Sequence, residues 1–123
     1  MKKKVLIVDD IDFNIEFESK LIENIAEEKC IDIEIDTACN VSDAIKLITD
    51  NIYDAIIVDM HLPDGKGIDI AKKARDKQAT TKIAALTIYP SEYEEDKEYF
   101  DLFLKKPIMI DSYKDNFIRL LDI

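Results

Sequence analysis

Five residues of this 123-residue chain have the types and settings to do chemistry together. Asp9 and Asp10 follow the apolar run "KVLIV". Asp59 closes "AIIVD", Thr87 closes "KIAALT", and Lys106 stands just before Pro107. Each is a polar group left at the end of a run that otherwise buries itself. If the three carboxylates meet, two unit charges about 4 Å apart repel by roughly 4 kcal/mol at an effective dielectric of about 20. A hard dication relieves that cost. Mg2+ suits a site offering one or two carboxylates, a carbonyl and several waters. A lysine and a threonine hydroxyl across from it would hold the oxygens of a phosphoryl group.

The elements needed to bring these residues together are legible in the periodicity. Residues 4–8 form a short run suited to a strand buried on both faces. Phe17, Leu21, Ile22 and Ile25 recur at helical spacing within 13–28, and "IDIEIDTA" (31–38) alternates as a half-buried strand. Val41, Ala44, Ile45 and Ile48 mark a second helix, with Asn40 as its N-cap. "AIIVDM" (55–60) is the next buried strand, "PDGKG" is turn chemistry, and 67–78 is a helix. A fourth strand is expected over 82–87 and a fifth over 101–104. "SEYE" (91–94) is a capping box that would open an acidic helix running to about Phe100. Tyr113, Phe117, Leu120 and Leu121 give a last amphipathic helix. Strand and helix thus alternate five times, which predicts a doubly wound α/β domain over 1–123. Its five-stranded parallel sheet takes the doubly wound order 2-1-3-4-5. Strands one and three are then central neighbours, and ligands bind at their carboxyl ends.

Bulk properties restrict the function. The charge of −10 disfavours nucleic acid and anionic membrane as partners. The apolar fraction of 47% and the charged fraction of 36% suit a soluble globular chain. Cys30 and Cys39 make no C-x-x-C pair and no disulfide framework, so a reducing, cytoplasmic setting is expected, with both thiols buried or inert. The opening "MKKKVLIVDD" has too short an apolar core for a signal peptide, and no run could span a bilayer.

"VLIVDD", "AIIVDMHLPDGKG", "IAALT" and "LKKP", in this order and at this spacing, resemble the response regulator receiver domains of two-component signalling. The resemblance covers the whole chain. It implies that Asp59 accepts a phosphoryl group from a histidine kinase or phosphotransfer protein. It implies Mg2+ (or Mn2+) held by Asp9, Asp10, Asp59 and the backbone carbonyl of His61. Thr87 and Lys106 would bind the phosphoryl oxygens, and Thr87 with Phe103 would form the switch that alters a protein-binding face. Such a chain is a phosphoacceptor with self-phosphorylation and self-dephosphorylation chemistry rather than an enzyme. It is expected as a monomer or weak dimer that acts on an unidentified protein partner. Asn14, four residues after Asp10, is similar to receivers of hybrid kinases and phosphorelays.

Some positions depart from the family pattern. The stretch from Thr87 to Lys106 is shorter than is usual in the family, which implies a shortened fourth helix region in this flavodoxin-like fold; Ile88 stands where a small residue is usual, and Val41 replaces a common glycine. Met60, His61, Ile88 and Tyr89 are expected at the pocket rim, where His61 and Tyr89 would shield an acyl phosphate from water. The acidic run "SEYEEDKEYFD" reads as a solvated face or a docking surface for a basic partner. Two other readings stand beside the first. One is a receiver-like binding module that is never phosphorylated. The other is a Mg2+-dependent phosphatase of the haloacid dehalogenase type, which would want an aspartate where His61 stands.

Overall fold

The structure, a computed structural model, describes residues 2–88 and 97–123. Strand β1 (Lys2–Val8) is followed by α1 (Asp12–Lys29), β2 (Asp32–Ala38), α2 (Val41–Asp50) and β3 (Ala55–Asp59). A small hairpin of β4 (His61–Leu62) and β5 (Gly65–Lys66) leads into α3 (Gly67–Lys77). Then come β6 (Lys82–Thr87), β7 (Leu102–Lys105) and α4 (Ile110–Leu121). The main sheet has five strands in the order β2-β1-β3-β6-β7, all paired in parallel. Since β6 and β7 are its fourth and fifth strands, this is the expected 2-1-3-4-5 arrangement.

The core has two layers because the central strands are apolar on both faces. Leu6, Val8, Ile56 and Val58 face α2 and α3, where Ala44, Ile48, Ile70 and Ala71 meet them. Val5, Ile7 and Ile57 face α1 and α4, where Ile22, Ile25, Phe117 and Leu120 meet them. Strand register fixes the level at which the polar ends emerge. Val8 lies beside Val58, so Asp9 and Asp59 leave neighbouring strands at the same level. Asp59 pairs with Leu86 and Thr87 with Lys105, so Thr87 and Lys106 complete that edge.

Several boundaries differ from expectation for local physical reasons. The "PDGKG" turn is a true hairpin, with Pro63 and Asp64 at its tip. The fifth strand begins at Leu102 rather than 101, because Asp101 accepts from the Ile83 amide (2.7 Å) and from Arg75 (2.8 Å). The expected capping box at 91–94 lies outside the described residues. Residues 97–99 form one turn of 3₁₀ helix, and Phe100 after them is buried. Cys30 and Cys39, expected to be buried or inert, are both free and exposed. Cys30 ends α1 in the left-handed region (φ 55°), where the chain turns outward, and Cys39 follows β2.

Candidate functional site

At the carboxyl ends of β1 and β3, ligand oxygens of Asp9, Asp10 and Asp59 come within 4.8 Å of one another. Asp9 and Asp59 are buried and Asp10 is exposed. Lys106 Nζ lies 3.2 Å from Asp59 Oδ2 and 3.9 Å from Asp9 Oδ2. Its place is fixed by its own backbone N–H, which donates to the Thr87 carbonyl (2.9 Å). Thr87 is fully buried at the end of β6.

Each carboxylate oxygen has a distinct setting. Asp59 Oδ1 accepts from the His61 amide (3.0 Å), which leaves Oδ2 toward Lys106. Asp9 Oδ1 accepts from the Ile11 amide (2.9 Å) and, at 3.5 Å, from Asn14 Nδ2. Asp9 Oδ2 is buried without a hydrogen-bond donor among the described residues. Burial, and then the nearby Asp59 charge, hold the Asp9 carboxyl above its ordinary range. An orphaned buried carboxylate oxygen is costly, and a cation relieves it. Three carboxylates against one ammonium leave two negative charges, the charge of one dication. The donors are all oxygen, as Mg2+ or Mn2+ prefers. The residues present therefore fit such an ion.

The remaining expected residues separate. His61 is exposed at the head of the hairpin, and Ile88 is half exposed beside Thr87, so both stand at the surface near the site. Met60 is not at the rim, contrary to expectation. It is buried in the apolar layer with its Sδ against Gly67, because an apolar side chain gains more from that layer than from water. Tyr89 lies outside the described residues. Phe103 is half-buried and packs on Phe100, with ring centroids 5.4 Å apart.

Two features have no counterpart among the expected residues. Glu18 on α1 is buried and accepts a hydrogen bond from Tyr113 Oη on α4 (2.9 Å). Burial, more than the neighbouring Asp9 and Asp59 charges, pushes its carboxyl up to about 8. Its spacing from Leu21, Ile22 and Ile25, which places it in the apolar stripe, was the available signal. Asp64 at the hairpin tip accepts from the Val41 (2.7 Å) and Ser42 (3.1 Å) amides of α2.

The family model of the response regulator receiver domain matches residues 5–115. Hybrid signal transduction histidine kinase L of Dictyostelium discoideum is 29% identical over an alignment of 116 positions that covers 85% of this chain and 6% of that protein. Response regulator protein PilR of Pseudomonas aeruginosa is 32% identical over an alignment of 92 positions that covers 73% of this chain and 19% of that one. The chain thus spans a small part of both relatives. Response regulator TrrA of Thermotoga maritima, solved in complex with Mg2+–BeF, superposes with a TM-score of 0.76 at 32% identity. That match covers 97% of this chain and 99% of the other.

Proposed function

The chain belongs to the response regulator receiver domain family, and from that premise we propose that Asp59 accepts a phosphoryl group from a phosphohistidine. The donor is a histidine kinase or a phosphotransfer protein of a two-component pathway. A carboxylate oxygen of Asp59 attacks phosphorus in line, a P–O bond forms, and the P–N bond to the donor histidine breaks. The histidine leaves with the bond's electron pair. Mg2+ or Mn2+, held by Asp9, Asp10, Asp59 and the His61 carbonyl, would supply charge neutralisation at the transferring oxygens. Lys106 pairs with the phosphoryl group, and the Thr87 hydroxyl donates to it. Phe103 then repacks and the face around β7 and α4 changes shape for a protein partner. This is phosphoacceptor chemistry in a signalling domain of the cytoplasm. No described helix is long and apolar enough to cross a membrane.

What carries the reading is the setting of Asp59. One oxygen is held by the His61 amide, and the other faces a lysine beside two further carboxylates. The complex of the Thermotoga relative with Mg2+–BeF supports it. The test is intact-protein mass after incubation with Mg2+ and a small acyl phosphate. One phosphoryl adduct is expected on the native chain, none on Asp59→Asn, and none when EDTA is present from the start. A native chain that takes no adduct and shows no NMR change with beryllofluoride would instead be a constitutive binding module.

A further inference from the structure

Resting on the receiver reading above, we infer that Asp64 is a positioning residue. Acting through the β4–β5 hairpin, it fixes the main chain at His61 beside Asp59 and thereby sets the cation affinity of the acidic cluster.

A helix leaves its first four backbone N–H groups without intrahelical partners. In α2 their acceptors come from two sources. The Ala44 N–H makes the helix's first i→i−4 bond, to the Asn40 carbonyl (3.2 Å); of the three α2 amides before it, that of Asp43 donates to Asn40 Oδ1 (2.7 Å). The other two, on Val41 and Ser42, donate to Asp64 Oδ1 and Oδ2 at 2.7 and 3.1 Å. Asn40 is already an effective N-cap. The carboxylate from a distant loop therefore does more to the loop than to the helix: it ties the hairpin tip to a rigid element. These amide hydrogen bonds also lower the Asp64 carboxyl, so the tie is ionised at neutral pH.

The hairpin is held at two further points. Gly65 lies so close to Val41 that an added Cβ would come within 3.1 Å of Val41 Cγ2. At its exit, a Cβ on Gly67 would come within 2.7 Å of Met60 Sδ and 3.2 Å of the Asp59 carbonyl oxygen. The loop leaves Asp59 under the His61 N–H bond, reaches α2 at Asp64, and returns across the Asp59 backbone at Gly67. His61 heads this hairpin and pairs with Lys66. Mg2+ tolerates little departure from octahedral geometry, so a main-chain ligand serves it only if held in place beforehand.

Mn2+ serves as the probe, its binding read by electron paramagnetic resonance on the full chain at neutral pH. Asp64→Ala is expected to weaken Mn2+ binding about tenfold, the scale of losses when outer supports of a metal site are removed. Asp64→Asn keeps one acceptor and falls between. Asn40→Ala uncaps the same helix and lowers its thermal midpoint, but leaves Mn2+ affinity within about twofold, because the hairpin stays tethered. Asp64→Ala that folds by circular dichroism yet binds Mn2+ like the native chain overturns the inference. So do equal losses in the Asp64 and Asn40 variants. If Asp64→Ala fails to fold, the same comparison is made with Asp64→Asn. A native chain that binds no Mn2+ overturns the receiver reading itself, and this inference with it.

Discussion

At the scale of single residues, Glu18 makes a claim about pH. Its carboxyl ionises at about 8 in the folded chain and near 4.5 in an unfolded one. Between those values the folded state holds a proton that the unfolded state has released. Stability therefore falls as pH rises through that window, by a total on the order of 5 kcal/mol. Glu18→Gln keeps an acceptor for Tyr113 and removes the proton. Urea midpoints measured from pH 5 to pH 8 should thus decline more steeply in the native chain than in the variant. Parallel curves would show that Glu18 does not carry the dependence. The sequence made Asp9, Asp10, Asp59, Thr87 and Lys106 legible because each interrupts or ends an apolar run. Glu18 was hidden by the habit of reading a helical carboxylate as solvated, although it falls in register with Leu21, Ile22 and Ile25. Asp64 read as a turn residue, which it is. Its second duty joins positions 23 residues apart, beyond the reach of local rules.

At the scale of elements, the sheet edge depends on what holds β6 and β7 in place. Arg75 on α3 donates to the carbonyls of Tyr99 (3.3 Å), Ala79 (3.1 Å) and Thr81 (2.7 Å) and to Asp101 Oδ2 (2.8 Å). One side chain thus ties the end of α3 to the approach to β6 and the approach to β7. Arg75→Ala should cost about 2 to 3 kcal/mol. Hydrogen exchange should quicken first at Ile83 and Asp101. Arg75→Lys should restore little, since a single ammonium cannot replace the several donors of the planar guanidinium. Equal quickening throughout the chain would mean that the clamp is not local. Strands and helices with four or more residues were legible from period or from unbroken apolar runs. The β4–β5 hairpin was not, because two-residue strands carry no period. The start of β7 lies one residue later than its propensity suggests because side-chain bonds to Asp101 draw that boundary.

At the scale of the whole molecule, the strand order follows from five alternations and the handedness of parallel crossovers, so it was legible in the sequence. The two-layer core follows from central strands apolar on both faces. A ligand bound only by the folded chain stabilises it, by about 2.7 kcal/mol at 100 times its dissociation constant. Saturating Mg2+ should therefore raise the melting temperature by about 10 °C. An equal rise with sodium chloride at matched ionic strength would assign the effect to screening of the −10 charge instead. Strand β2 ends one side of the sheet, its outer edge joined to no other strand among the described residues. Asp32, Glu34 and Asp36 alternate along it, with Lys4 answering Glu34 and Asp36 from the neighbouring strand. A second copy laid along that edge would bring carboxylate against carboxylate. The acidity that reads in bulk as mere solubility thus also guards the border where fibre-like stacking of chains would begin.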